Sequence, residues 1–318
     1  MARRRRGLPI DGVLLLDKPK GMSSNYALQR ARRLFQAQKA GHTGTLDPMA
    51  TGLLPVLFGE ATKFSQHLLE ADKVYRTRVE LGTSTDTGDA EGEVIACRPV
   101  PALEESDVAS MVAGFIGEQD QLPPMYSALK HQGRKLYELA REGKSVERAS
   151  RRIKVYDARL LCVSLAGESP CFDLEVRVSK GTYVRVLAED MARALGCEGH
   201  ISQLRRLKSG PFDASGMQDF EALEALPDQA ALEAQLMPVD CLLGHLAAHR
   251  LSESGAKAMR YGQIARGELA PEMPGTADRA LIRLYHGETF VGLGGVESSG
   301  DVVPRRLLSS FVAGSGQT

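Results

Sequence analysis

The chain has 318 residues, 43% hydrophobic and 25% charged, with 40 basic and 40 acidic side chains. This composition supports a large apolar core and excludes disordered and fibrous proteins, and the length predicts two domains of unequal size. No apolar run approaches the roughly 18 residues of a membrane span, and the five scattered cysteines form no C-x-x-C pair, so we expect a reducing cytoplasmic location without membrane contact.

The zero net charge hides a segregation of charge along the chain. Residues 1–40 carry ten basic and two acidic side chains, a net charge of +8, and residues 125–160 carry ten and four, a net charge of +6. Residues 80–122 have a net charge of −9 and residues 213–240 a net charge of −7. Basic segments of this kind favour a polyanion-binding surface, although ordinary solvated helix faces have the same composition. Residues 3–6 predict a basic arm.

Hydrophobic periodicity predicts the elements of the larger, N-terminal portion. In chain order they are a buried strand over 13–16, a basic amphipathic helix beginning at Ser23 or Ser24, a loop over 41–52, a buried element over 53–58, a half-buried strand over 74–81, a helix over 103–115, a basic insertion over 123–152 with a helix near 136–140, and a hairpin of 153–165 with 171–178. Tyr183 and Arg185 are predicted on extended chain before a helix over 187–195, because residues two apart share a face only when extended.

The remainder predicts a helical bridge and a small β-rich module. The acidic segment 213–240 forms the bridge, so the domain prediction is 1–240 and 241–318. The module has one helix near 252–261 and strands after residue 280. The segment Gly292-Leu-Gly-Gly is too short for a dinucleotide fingerprint and is predicted to be a turn.

Several common catalytic signatures are missing from the sequence. It contains no G-x-x-x-x-G-K-[ST], no H-E-x-x-H and no G-x-S-x-G. His245 and His249 are four residues apart with no third ligand nearby, which favours a surface or packed pair over a metal site. We therefore expect neither a metal nor a cofactor.

The informative segment is Gly41-His-Thr-Gly-Thr-Leu-Asp-Pro-Met-Ala-Thr-Gly. It places one carboxylate, Asp47, on a glycine-rich loop stiffened by Pro48. Such a carboxylate can act as a nucleophile or base if a distant group keeps it ionised. An Asp-Pro pair is also common in turns and helix caps, and spacing alone does not decide between the two.

Together with this loop, further segments carry a resemblance to a known family. They are, in order, Leu-Asp-Lys-Pro-Lys-Gly at 16–21, Lys-Val-Tyr at 73–75, Pro-Pro-Met-Tyr-Ser-Ala-Leu-Lys at 123–130, Lys-Gly-Thr-Tyr-Val-Arg at 180–185, Leu-Arg-Arg at 204–206 and Val-Pro-Arg-Arg-Leu at 303–307. They span almost the whole chain, which resembles the bacterial tRNA pseudouridine synthase B family. Members convert uridine at tRNA position 55, in the T loop, to pseudouridine.

The resemblance implies a fold and four catalytic roles. The expected fold is α+β, with a mixed, mostly antiparallel central sheet, flanking helices and a C-terminal module similar to the RNA-binding PUA domain. Asp47 matches the catalytic aspartate and Arg185 the arginine that pairs with it. Tyr75 matches the tyrosine that packs on the target base, and Tyr183 resembles a second aromatic wall of that pocket. Without the resemblance, both tyrosines would be interpreted as core residues and Arg185 as a phosphate contact or a surface residue.

The resemblance also implies RNA contacts. His42 matches the residue that fills the space left by the flipped uridine, although a histidine in a glycine loop can equally be a cap. Lys18, Lys63 and Lys130 are expected to contact phosphate or the pocket, and Leu204 matches a pocket leucine that could equally be a core leucine. Residues 123–152 correspond to the thumb, an insertion that closes over the T-loop backbone, where basic side chains would give salt-dependent affinity.

The expected partner is tRNA, bound through its T arm and elbow by a monomer that requires no protein partner. A guide-RNA-dependent synthase shares the aspartate loop but lacks a long thumb, so residues 123–152 argue against it. A tRNA-folding chaperone activity, with or without catalysis, is compatible with the same sequence. The sequence leaves open whether Asp47 attacks the sugar, adds to the base or abstracts a proton.

Overall fold

A mixed β-sheet forms the centre of the larger portion of the chain. The structure is a computed structural model that describes residues 7–269 and 280–313. The predicted basic arm at 3–6 lies outside these residues. The strands up to residue 213 are β1 (Gly12–Lys18), β2 (Ala40–His42), β3 (Thr51–Phe58), β4 (Lys73–Leu81), β5 (Thr83–Thr85), β6 (Val94–Cys97), β7 (Gly117–Gln121), β8 (Lys130–His131), β9 (Arg134–Lys135), β10 (Arg151–Ser164), β11 (Cys171–Val178), β12 (Gly199–Ser209) and β13 (Phe212–Asp213).

The main path of the sheet is β1-β3-β12-β4-β11-β10-β7, with β2 added to β3 and β13 added to β12. The β3–β12 pair is parallel, and the other pairs of this sheet are antiparallel. Two short hairpins, β5 with β6 and β8 with β9, lie outside it. The predicted α+β class with a mixed, mostly antiparallel sheet is confirmed.

Helices flank the sheet and connect its strands. The α-helices are α1 (Ser24–Leu34), α2 (Ser65–Leu69), α3 (Glu105–Gly114), α4 (Leu136–Arg141), α5 (Val184–Ala194), α6 (Phe220–Glu224), α7 (Gln229–Glu233), α8 (Glu253–Arg260) and α9 (Ser309–Ala313). Short 3-10 helices cover Gly59–Phe64, Ala214–Gly216 and Val239–Leu243. Ser23 caps α1 by accepting from the backbone N–H of Tyr26, and the helix begins at Ser24, one of the two predicted starts.

Both faces of β1 and β3 are buried. Leu14 and Leu54 belong to one buried apolar cluster, the first core, which also contains Leu187 of α5. Val13 and Leu53 belong to another buried apolar cluster, the second core. Alternate residues of a strand point to opposite faces, so the two strands serve two cores at once. The first core lies beneath the Asp47 loop, which we define as residues 41–52.

The C-terminal portion is β-rich, as expected. Its strands are β14 (Ala248–Arg250), β15 (Leu281–His286), β16 (Thr289–Val296) and β17 (Val302–Leu307), which form a four-stranded sheet in that order. The second cluster described above also includes Leu242 and Leu293, so this portion packs against the back of the central sheet. The domain boundary near residue 240 and the likeness to a PUA domain stay predictions.

Two local predictions are wrong. Arg185 is the second residue of α5 and not part of the extended chain, because the helix begins directly after Tyr183, which retains an extended backbone. The segment 292–295 lies inside β16 and is not a turn. A Cβ on Gly292 would lie 2.4 Å from the carbonyl oxygen of Arg306, and one on Gly294 would lie 2.6 Å from a methyl carbon of Val302, so these glycines allow close strand approach.

None of the helices among the described residues is long and apolar enough to cross a membrane.

Leu53→Ala should lower the free energy of unfolding by about 2 to 5 kcal/mol, because Leu53 is fully buried and its removal leaves a cavity in the second core. Urea unfolding followed by circular dichroism measures this. The matched control is Leu69→Ala, since Leu69 of α2 is 46% exposed and should change the free energy by less than about 1 kcal/mol. Equal losses in the two variants would contradict the prediction.

Candidate active site

The Asp47 loop is tied to β1 by a buried lysine. Lys18 is fully buried, and its Nζ donates to the carbonyl oxygen of Met22 at 2.6 Å and to that of Pro48, within the loop, at 3.3 Å. Burial lowers the pKa of Lys18 to about 8, against an opposing contribution from Asp47. The lysine therefore holds the residue that follows Asp47 in place.

Two more buried side chains bond the backbone of the loop and of β3. The Oγ of Ser24 accepts from the N–H of Leu46 at 2.8 Å and donates to the carbonyl oxygen of Leu46 at 2.9 Å. Arg206 of β12 donates from Nε to the carbonyl oxygen of Leu53 at 2.6 Å and from Nη2 to that of Gly44 at 2.9 Å. These bonds fix the backbone on both sides of Asp47.

Asp47 and Arg185 form an ion pair, with Nε of Arg185 2.9 Å from Oδ2 of Asp47. The arginine side chain is 4% exposed and the aspartate side chain 35% exposed, so the carboxylate is partly open to solvent and the guanidinium is buried. Burial raises the pKa of Asp47 above its ordinary value, and Arg185 opposes that shift through its charge and its hydrogen bond. The arginine is the distant cation that the sequence alone does not reveal.

Arg185 also joins the surrounding segments. Its Nη2 donates to the carbonyl oxygen of Tyr126 at 2.7 Å, its Nη1 donates to that of Thr87, and Oδ2 of Asp89 lies 3.9 Å from its Nε. Asp89 is 5% exposed and adds a second negative charge beside the guanidinium. The arginine thus connects the Asp47 loop, the thumb and the loop that follows β5.

Tyr75 and Leu204 lie together in the first core. Tyr75 of β4 is 9% exposed and pairs with Arg206 of β12. Leu204 of β12 pairs with Thr77, two residues further along β4. Both residues belong to the same apolar cluster as Leu46 of the Asp47 loop. The predicted apolar face of β4 is therefore present. The core and pocket interpretations of these two residues both remain compatible with their burial.

Tyr183 precedes the helix that carries Arg185 and is partly exposed. The guanidinium carbon of Arg151 lies 4.7 Å from the centroid of its ring, a cation–π contact. The pocket role of Tyr183 stays a prediction.

His42 lies in β2, at the start of the Asp47 loop, and its Nδ1 is buried without a hydrogen-bond partner among the described residues. Burial, and next the charge of Arg206, lower the pKa of His42, which favours the neutral ring. A neutral imidazole suits contact with a base rather than with a phosphate. Its expected role in base flipping stays a prediction.

The three lysines that were expected to contact RNA differ in their surroundings. Lys18 is fully buried in the free protein, and its contact with phosphate or the pocket stays a prediction. Nζ of Lys63 contacts Glu60 at 2.7 Å, the carbonyl oxygen of Leu307 at 3.0 Å and Ser309 Oγ at 2.9 Å, so that it ties a 3-10 helix to the C-terminal portion. Its contact with RNA also stays a prediction. Lys130 is exposed on β8, and its contact with RNA stays a prediction.

Sequence reasoning assigned no role to Asp89, Arg206 or Ser24 in the organisation of this site. Asp89 belongs to an acidic stretch with no distinguishing pattern, and Arg206 was noted only as part of a motif. Their importance follows from burial and from partners more than 20 residues away, which no local pattern reveals. No group of three or more potential metal ligands occurs within residues 7–269 and 280–313.

Three models of known protein families match the chain. Residues 32–184 match the model of the TruB family pseudouridylate synthase N-terminal domain, residues 185–244 match that of the tRNA pseudouridylate synthase B C-terminal domain, and residues 247–308 match that of the pseudouridine synthase II TruB C-terminal region. The chain belongs to the TruB pseudouridine synthase family. The predicted family is therefore confirmed.

Two bacterial relatives of this TruB family member match it over nearly their full length. The tRNA pseudouridine synthase B of Chromohalobacter salexigens is 61% identical over 310 residues, 98% of each chain. That of Nitrosococcus oceani is 48% identical over 311 residues, 97% of this chain and 98% of the relative. A chain from the crystal structure of a Cbf5-Nop10-Gar1 complex shares the fold, with a TM-score of 0.66 and 23% identity over 100% of this chain and 88% of that one.

Arg185→Gln should raise the pKa of Asp47 further, because the substitution removes the charge and the hydrogen bond that oppose the effect of burial. Titration of the Asp47 carboxyl carbon by NMR measures the shift. The control is Arg193→Gln on the same helix, where the arginine pairs with Glu189 and Asp190 instead. An unchanged or lower pKa in a folded Arg185→Gln variant would contradict this account.

Proposed function

We propose that the chain is a tRNA pseudouridine synthase that isomerises the T-loop uridine at position 55. The reaction breaks the bond between N1 of uracil and C1′ of ribose, joins C1′ to C5, releases the C5 proton and leaves a proton on N1. The observation that carries the proposal is the ion pair of Asp47 and Arg185, which holds a partly exposed carboxylate beside the thumb. High identity to bacterial proteins named for this activity supports it.

The carboxylate of Asp47 would act on the target nucleotide. Its partial exposure gives a substrate access, while Arg185 favours the ionised form that a nucleophile or base requires. Buried donors from Lys18, Ser24 and Arg206 hold the backbone, so the carboxylate needs little reorganisation on binding. Attack on the sugar, addition to the base and proton abstraction all use this same geometry.

We propose that the target uracil, once flipped out of the T loop, is held by side chains of the first core and by Tyr183. Tyr75 and Leu204 would offer apolar surface to the base, and Tyr183 would form a second aromatic wall beside Arg151. Removing a base from the stacked T loop costs a few kcal/mol, and His42 would replace part of the lost stacking. These roles follow the resemblance.

The thumb would grip the RNA backbone. Two cations of this segment, Lys130 and Arg141, are exposed, and Arg141 lies 5.3 Å from the ring centroid of Tyr137. Exposed cations neutralise phosphates whatever the nucleotide sequence, so recognition would depend on the shape of the tRNA elbow. We propose tRNA as the partner and a monomer in the cytoplasm as the working form.

Asp47→Asn should reduce pseudouridine formation by at least about a thousandfold, because the amide cannot serve as a nucleophile or base. The measurement is tritium release from a tRNA transcript labelled at uridine C5, without added metal or nucleotide. Asp157→Asn, on an exposed position of β10, is the matched control and should retain wild-type release. Release by the Asn variant at the wild-type rate would exclude Asp47 as the reactive group, and no release by the wild-type protein would refute the proposed substrate.

Lys130→Ala should weaken tRNA binding and make the fall of log affinity with log salt concentration less steep by about 1 in slope, since one phosphate contact is lost. Filter binding over a series of salt concentrations measures both quantities. Arg159→Ala is the control, because Arg159 lies on β10 and pairs with Glu175. A change in affinity with an unchanged salt slope would show that Lys130 does not contact phosphate.

A further inference from the structure

A buried glutamine at the root of the thumb bonds the backbone of Tyr183 twice. Gln121 is the last residue of β7 and is 3% exposed. Its Oε1 accepts from the N–H of Tyr183 at 2.8 Å, and its Nε2 donates to the carbonyl oxygen of Tyr183 at 3.1 Å. The amide therefore satisfies both backbone groups of one residue 62 positions away.

These two bonds determine where α5 begins. Tyr183 is the N-cap of α5, and its side chain makes no capping hydrogen bond. Its carbonyl oxygen also accepts the backbone N–H of Leu187 at 3.1 Å, within the first turn of the helix. Gln121 thus fixes the residue that starts the helix, and Arg185 follows two positions later. The direction of the Arg185 side chain depends on that start.

The opposite root of the thumb holds the same tyrosine. Arg151 is the first residue of β10 and pairs with Gln121 across the two strands. Its guanidinium lies over the Tyr183 ring at 4.7 Å. One root therefore grips the backbone of Tyr183 and the other grips its ring. In addition, Arg185 donates to the carbonyl oxygen of Tyr126 inside the thumb.

We propose that Gln121 is a positioning residue that aligns Arg185 and Tyr183 with Asp47 and links the roots of the thumb to the reacting carboxylate. This inference rests on the proposed function, because its kinetic consequence requires pseudouridine formation. Gln121 acts through Tyr183 and does not touch the nucleotide. A misplacement of about 1 Å in a catalytic group can cost about a hundredfold in rate, which gives the expected scale.

A glutamine suits this task because it carries a donor and an acceptor on one planar group. Methionine has a similar length but offers neither bond, so two backbone groups of Tyr183 would remain unsatisfied. Glutamate keeps the acceptor for the Tyr183 N–H, but an ionised carboxylate cannot donate to the Tyr183 carbonyl oxygen. The two substitutions therefore remove both bonds or only one of them, at a similar side-chain length.

The test compares Gln121→Met and Gln121→Glu with Gln119→Met. Gln119 lies on the same strand, is partly buried and donates from Nε2 to the carbonyl oxygen of Phe115 at 2.9 Å, so it matches Gln121 in type but bonds a different backbone group. Single-turnover rates of tritium release give the chemical step, and filter binding gives the Kd for tRNA. The NMR resonance of the Arg185 Nε–H, whose nitrogen lies 2.9 Å from Oδ2 of Asp47 in the free protein, reports the alignment without any substrate.

We expect both Gln121 variants to lower the single-turnover rate by about 10- to 100-fold, with the Kd for tRNA within about twofold and the Arg185 resonance shifted. Gln119→Met should leave the rate and the resonance unchanged. Wild-type rate with an unchanged resonance in folded Gln121→Met, or equal losses in Gln119→Met, would overturn the proposal. An inactive wild-type protein would instead refute the proposed function, and the resonance alone would then decide whether Gln121 aligns Arg185.

Discussion

The organisation of the candidate active site depends on the guanidinium of Arg185. A buried cation requires hydrogen-bond acceptors or negative charge, and this one obtains them from the carboxylate of Asp47 and from the carbonyl oxygens of Thr87 and Tyr126. Three segments that are distant in sequence are thereby brought to one side chain. Its position at the start of α5 makes the helix, the loops and the thumb parts of one arrangement.

Much of the fold could be predicted from the sequence, because several elements are strongly periodic. The alternation in β4 and the capped amphipathic pattern of α1 both appear in the structure. The glycines of β16 were misinterpreted, since glycine has no side chain to show an alternating pattern and is typical of turns. Its role there is to allow close approach of β17, a tertiary constraint that is invisible in one segment.

The site was less predictable than the fold. Loop composition identified Asp47, but only the resemblance identified Arg185 as its partner, and the structure brings the two together. The burial of Lys18 could not be predicted, because a lysine in a sequence suggests an exposed charge, whereas this one is surrounded by backbone carbonyl oxygens. Buried polar side chains such as Gln121 have no sequence signal, since their role depends on a partner supplied by the fold.

The apolar cluster behind the central sheet has a consequence for how the protein folds. Leu242 and Leu293 pack against Val13 and Leu53, and the ring of Phe64 contacts that of Phe290 with centroids 5.7 Å apart. A chain cut near residue 240 would leave this face of the sheet open to water, an apolar patch that promotes aggregation. The C-terminal portion is therefore more than an appended binding module. It completes a core that the larger portion does not bury alone.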